Sequence, residues 1–256
     1  MCQIILYFGN SNSQNAGVFY MKAITAKEYL DGLQTTYIKE ISNLKLFSRT
    51  WEFNWLDKQT FTTEFYQIRA HLSEYIWLLG SIAPSVEYKE VLLQNFAQEL
   101  GDEGNSRETL YISFCNSIIA TIRSEDTYSN LATLYAKSAN EKFGYGTIAR
   151  AFHTSHHDFQ HSSSSWASKW AVFCTLKYID PIDNDLILKT LKNKLKGETN
   201  TDFTYFEKTS KLESFATTQN LLEKLWLEDR EEVKKGIHFS LNTQIAMWTQ
   251  FSDCVN

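Results

Sequence analysis

The residues best suited to chemistry lie in one short stretch, which holds four of the chain's six histidines. These are His153, His156, His157 and His161, with Asp158 among them. Residues four apart share one face of a helix, so His153, His157 and His161 would point the same way. Neutral imidazole together with a carboxylate suits iron, zinc or copper. The alternative is a solvated polar loop, because a run of four serines follows directly.

Composition limits the classes of protein to consider. The chain has 256 residues, 43% of them hydrophobic, which is enough for one large core or two small ones. The net charge is −5 and no basic block occurs, which argues against a nucleic-acid surface. The apolar runs are shorter than the roughly 18 residues of a membrane span. The scattered cysteines form no CxxC pair, so we expect a cytoplasmic protein without membrane or nucleic-acid partners.

Apolar residues at helical spacing predict helices along most of the chain, and only two prolines and ten glycines interrupt them. Pro84 ends one predicted helix, and Asp180-Pro181 predicts a turn followed by a short helix over Leu186–Lys196. Four stripes carry the prediction: Phe61 to Leu79, Val91 to Leu100, Leu110 to Ile122 and Leu212 to Trp226.

These patterns predict an all-α protein, a single bundle of about eight to ten helices. Neither an internal repeat nor a linker divides the chain into two cores. We therefore expect one helical domain over residues 21–256. We expect residues 1–20 to be an N-terminal extension, poorly ordered or loosely attached, and this stretch lacks the basic start of a secretion signal.

One segment carries a family resemblance. A short helix and a long aromatic helix, Phe61–Ile82, precede a helix that ends Asn95-Phe-Ala-Gln-Glu99-Leu-Gly101. This order resembles the heme-oxygenase-like superfamily, which includes the TenA thiaminases, the pyrroloquinoline-quinone synthase and the heme-oxygenase-like di-iron oxidases. The Asn-x-x-x-Glu-x-Gly ending is similar to the di-iron branch, where the glutamate is a metal ligand. The resemblance implies that role for Glu99.

A second stretch, Leu131 to Arg150, resembles the glycine-bearing helix of heme oxygenases, which bends over the substrate. Gly144 and Gly146 lie in it, and glycine lets the backbone approach a ligand closely. The resemblance does not extend to the proximal heme ligand, because no histidine precedes His71. This departure argues against ordinary heme oxygenase activity.

The metal ligands that the resemblance implies are open to two alignments. Di-iron relatives carry His, Asp and His at spacings of four and three on a late helix. One alignment places this pattern on Thr209, Glu213 and Ala216, which implies a metal-free or degenerate site. The other uses Asp158 and His161 and keeps an iron site. The metal ligands would then be Glu99, His153, His157, Asp158 and His161.

Other candidates follow from the same resemblance. Glu141, one turn after the position of the central-helix glutamate, and Tyr135 are the candidate catalytic residues. His71, Trp77 and Tyr145 are the candidate substrate-binding residues, because such rings can line a flat cavity. The alternative for the aromatic residues is plain core, and for His71 a hydrogen-bonded core histidine.

The resemblance thus implies a heme-oxygenase-like oxidoreductase that uses non-heme iron and dioxygen on a small organic substrate in a specialised biosynthetic pathway. The alternative is a metal-free relative that binds a small molecule or acts as a scaffold, or a cofactor-free oxidase like the quinone synthase. Relatives of this fold often form homodimers, so a homodimer is one option for the assembly.

Overall fold

The computed structural model describes residues 24–48, 55–101, 106–119, 147–196, 200–211 and 215–254, without the side chains of 55–60, 63, 66, 67, 69–71 and 119. Within these ranges the regular structure is nine α-helices and one 3-10 turn, with no strand, which confirms the all-α prediction. The helices are α1 (Ala26–Ser42), α2 (Trp55–Ile82), α3 (Val86–Leu100), α4 (Arg107–Ile119), α5 (Thr147–His161), α6 (Trp166–Lys194), α7 (Thr204–Thr209), α8 (Ala216–Glu228) and α9 (Arg230–Cys254), and the 3-10 turn is Lys45–Phe47.

Helices α6 and α9 form the centre of the bundle. Ser168 lies against Gly236 near their starts, and Trp248 donates a hydrogen bond to Asp183 further along both. The two helices therefore run side by side in the same direction. A Cβ atom on Gly236 would lie 2.1 Å from the Ser168 carbonyl oxygen, so the close crossing requires glycine.

The turn predicted at Asp180-Pro181 is wrong, because α6 continues through Pro181 to Lys194. Proline has no N–H for the carbonyl of Lys177 and costs about 3 kcal/mol inside a helix. Most side chains between Ala167 and Asn184 are nevertheless buried. Tertiary packing around α6 therefore outweighs the local preference of proline.

Helix α2 confirms the predicted apolar stripe. The residues of the stripe are buried, and the opposite face carries Trp77, which is 68% exposed. The buried Glu64 of this helix accepts a hydrogen bond from the backbone N–H of Ala149, at 3.1 Å, in the first turn of α5. A carboxylate at this position stabilises a helix N-terminus. The buried residues of the stripe are Phe61, Phe65, Ile68, Leu72, Tyr75, Ile76 and Leu79.

No described helix is both long enough and apolar enough to cross a membrane. The predicted extension, residues 1–20, lies outside the described residues.

Candidate functional site

Four charged side chains meet in the core between α3, α4 and α6, and we call them the buried charge cluster: Glu99, Arg107, Lys177 and Asp180. Lys177 Nζ donates a hydrogen bond to Glu99 Oε1 at 2.6 Å. Arg107 Nη1 lies 2.5 Å from Glu99 Oε2 and 3.8 Å from Asp180 Oδ2. The side chain of Lys177 is fully buried and that of Arg107 is 13% exposed. Two cations and two carboxylates thus compensate one another inside the protein.

The chain brings these residues together by ending one helix and starting the next. Glu99 lies in the last turn of α3, which stops at Gly101 with a φ of 63°. Arg107 is the first residue of α4. Helix dipoles favour a cation at a C-terminus and an anion at an N-terminus, so both residues oppose that preference. Their position is therefore explained by the ion pair rather than by helix stability.

Helix α6 supplies the other two members of the cluster. Lys177 and Asp180 are three residues apart and so share one face of α6. Burial lowers the pKa of Lys177 below the usual lysine value and the charge of Arg107 acts in the same direction, whereas Glu99 opposes both. A lysine with a lowered pKa releases its proton more easily than an exposed lysine, and the free amine is a base and a nucleophile.

Two buried amides lie one helical turn along the chain from members of the cluster and have spare hydrogen-bonding capacity. Asn184 follows Asp180 by one turn of α6 and is fully buried, and neither its Oδ1 nor its Nδ2 has a hydrogen-bond partner among the described residues. Asn95 precedes Glu99 by one turn of α3, and its Oδ1 has no partner in the same part of the chain. Buried polar groups are normally bonded to protein or to bound molecules. The cluster therefore lies beside groups that a polar ligand could satisfy.

The histidine stretch is helical, because α5 extends to His161 and the serine run begins only after it. The side chains of His157 and Asp158 are 60% and 75% exposed, and His161 is also exposed. His153 is partly exposed, with its Nδ1 3.9 Å from Glu74 Oε2.

The structure does not bring Glu99 and these histidines together. The buried face of α5 carries Ile148, Phe152 and His156, which turns His157 and His161 towards solvent. Among the described residues, no group of three or more His, Cys, Asp or Glu side chains is arranged to hold a metal.

The surroundings of Glu99 also do not fit bound iron. Both of its oxygens contact cationic groups, and ammonium and guanidinium have no lone pair to donate to a metal. Glu99 contacts Lys177 of α6 and Arg107 of α4. Of the late-helix alternative, Thr209 lies in α7 and Ala216 in α8, and Glu213 lies outside the described residues.

The remaining predicted residues have different outcomes. Tyr135, Glu141 and Tyr145 lie outside the described residues, and His71 lies in α2 with its side chain outside them. Trp77 lies on the surface, 5.9 Å between ring centroids from Phe96, and not in a buried cavity. It follows the buried pair Tyr75 and Ile76 and so faces away from the core.

Sequence reasoning missed Arg107, Lys177 and Asp180. One signal was present, because Lys177 interrupts the apolar stretch that begins at Trp170. A charged residue within a buried helix requires a partner in the fold. The sequence does not show that this partner is Glu99, which lies 78 positions away.

Comparison with known proteins shows the fold. The chain is similar to the solved structure of a CADD-like protein of unknown function from Nostoc punctiforme, with a TM-score of 0.58 and 14% sequence identity, over 88% of this chain and 97% of that one. No protein-family model and no curated protein matches the chain. At this identity the likeness shows the fold alone, which is an all-helical bundle.

Proposed function

We propose that this protein binds a small organic molecule at the buried charge cluster and does so without a resident metal. The observation that carries the proposal is the pairing of Glu99, which the resemblance matches to a metal ligand, with Lys177 and Arg107. This is the metal-free alternative within the heme-oxygenase-like fold.

The cost of the cluster supports a role in binding. Replacing a buried ion pair by apolar residues of similar volume often stabilises a protein, by about 1–4 kcal/mol. An amide without a partner, such as that of Asn184, costs a further 1–3 kcal/mol or so. Residues that reduce stability in this way are typical of functional sites.

The free groups define the class of ligand. Asn184 offers a donor and an acceptor, and Asn95 offers an acceptor. A small polar molecule with hydroxyl, amide or amine groups would satisfy either side chain.

Metal analysis tests the metal-free part. We expect protein produced in iron-supplemented medium to contain substoichiometric iron, and Glu99→Gln to leave that content unchanged. Near-stoichiometric iron that disappears in Glu99→Gln would contradict the proposal and restore the iron-dependent oxidase, with dioxygen as co-substrate.

A matched pair of variants tests the binding part. Small molecules released on denaturing the purified protein are identified by mass spectrometry for wild type, Asn184→Leu and Gln160→Leu. Gln160 is also buried, and neither polar atom of its amide is bonded within the described residues, but it lies on α5, which supplies no member of the cluster. We expect Asn184→Leu alone to lose the bound molecule, while both variants keep or raise the melting temperature. Equal ligand content in all three proteins would contradict the proposal.

A further inference from the structure

Two imidazoles lie next to each other on the exposed face of α5. His157 and His161 are four residues apart, with ring centroids 4.2 Å apart and an angle of 47° between the ring planes. Both residues are exposed, in the last turns of the helix. The backbone therefore holds two solvent-accessible rings side by side.

This spacing suits chelation of a metal ion. Histidines at i and i+4 share one helix face, which is the arrangement that binds zinc in helical metal sites. Neutral imidazole is a ligand for zinc, copper and nickel. Once one ring binds, the second acts within the same molecule, at an effective concentration of about millimolar or higher.

The electrostatic surroundings favour a cation. His161 is the final residue of α5, and a helix C-terminus carries partial negative charge. Asp158 Oδ1 lies 3.7 Å from His157 Nδ1 and adds a carboxylate beside the pair. The Lys169 ammonium, which donates a hydrogen bond to the Ser162 carbonyl at 3.2 Å, offsets part of this attraction.

We propose that His157 and His161 form a surface site for a divalent transition-metal ion, with water completing the coordination. The site is separate from the buried charge cluster and does not include Glu99. It has two protein ligands, which is consistent with the absence of a larger ligand group among the described residues. Copper(II) binds more tightly than zinc at such a site, and magnesium, which prefers oxygen ligands, does not bind.

Titration of the full-length protein with ZnCl2 and CuCl2, followed by competition with a chromophoric chelator, tests the site. We expect saturable binding that weakens about tenfold or more in H157A and in H161A, because each variant leaves one imidazole. H238A is the control, since His238 is hydrogen-bonded to the Tyr29 hydroxyl elsewhere. MgCl2 gives no signal.

Both histidines are exposed, so the variants are expected to keep the wild-type circular dichroism spectrum. Equal zinc affinity in wild type and the H157A/H161A double variant overturns the proposal, as does a wild type without saturable binding. A loss in H153A equal to that in H161A overturns the choice of the pair. A failure of this surface site is distinguishable from a failure of the proposed function, because we expect Glu99→Gln to leave zinc binding at His157 and His161 unchanged.

Discussion

Glu99 and the histidines of α5 are the two regions where the sequence suggested metal ligands, and the fold places them in opposite environments. Glu99 is buried, and both of its oxygens contact cations. His157 and His161 are exposed to water beside a carboxylate. Glu99 thus occupies a position that the resemblance matches to a metal ligand, but cationic groups surround it. His157 and His161 have nitrogen atoms that can bind a metal, but they lie on an exposed helix face. Residue type predicts which groups can bind a metal. Burial and neighbouring charge decide whether such a group pairs with charges of the protein or stays open to a metal ion.

The largest expected effect is on the buried side of this comparison. Lys177→Ala leaves the Glu99 carboxylate buried with only Arg107 as a counter-charge, and breaking a buried pair costs about 3–5 kcal/mol. The free energy of unfolding, measured by urea denaturation, should fall by this amount. Removing both charges in Glu99→Leu/Lys177→Met should restore most of the stability, because Arg107 then keeps Asp180 as its counter-charge, at 3.8 Å.

The control is an exposed pair on the same helix. Lys189 Nζ lies 2.5 Å from Asp185 Oδ2, with both side chains about half exposed or more. Lys189→Ala should change the free energy of unfolding by less than about 0.5 kcal/mol. Similar losses in Lys177→Ala and Lys189→Ala would show that the buried charge cluster is solvated, and the contrast between the two regions would fail.

Adjacent residues of α5 sharpen the contrast. The His156 ring is fully buried against Tyr75, Phe152 and Phe239, with its Nδ1 2.9 Å from the Phe152 carbonyl oxygen. His156→Ala should cost about 2–4 kcal/mol because it leaves a cavity in the core. His157→Ala should change stability by no more than about 0.5 kcal/mol. Thermal unfolding of both variants checks the pair, and equal shifts would mean that α5 is rotated about its axis.

The helix that carries Lys177 is itself held by a close crossing. Gly236→Ala would place a Cβ 2.1 Å from the Ser168 carbonyl oxygen, which is a backbone atom and cannot move aside cheaply. We expect a loss of about 1–3 kcal/mol from overpacking. Gly80→Ala is the control, because a Cβ there meets nothing within 4 Å and alanine favours a helix by up to about 1 kcal/mol. If Gly236→Ala proved as stable as wild type by urea denaturation, α6 and α9 would not cross closely at this point.

The spacing of apolar and polar residues along the chain predicted which faces of the helices are buried. The stripe of α2 repeats with the helical period and is buried as expected. Glu99 follows Asn95 by one turn, and both are buried, so the inward direction of the carboxylate was also predictable. The fold class and the superfamily resemblance rest on such features.

Tertiary packing decided the rest. Glu99 meets Lys177 only because α3 ends beside α6, and no local spacing shows this contact. Pro181 remains helical because the surrounding residues are buried, although its own preference predicts a turn. The histidine stretch was compatible with helix or loop, and the packing of Phe152 into the core determines which rings face solvent.

Glu232 lies between the two extremes, since its side chain is 30% exposed yet is bonded to the start of α6. Hydrogen bonds from Ser168 and Ser165 lower the pKa of Glu232 to about 2, from the usual 4.5. The stabilisation is therefore complete above pH 4.5 and is lost as the pH falls from 4.5 towards about 2.

Glu232→Gln should cost about 1 kcal/mol at neutral pH, the value of a helix-capping interaction that is partly screened by water. Urea denaturation at a series of pH values should show this difference shrinking below pH 4.5, because protonated Glu232 and glutamine are both neutral. Glu231→Gln is the control, since Glu231 is 80% exposed and, within the described part of the chain, pairs with Lys234 of the same helix. A difference between wild type and Glu232→Gln that is constant with pH would show that the carboxylate is not the group that holds α6. The charge of the partly buried Glu232 would then contribute no more to the free energy of unfolding than the exposed histidines of α5 do.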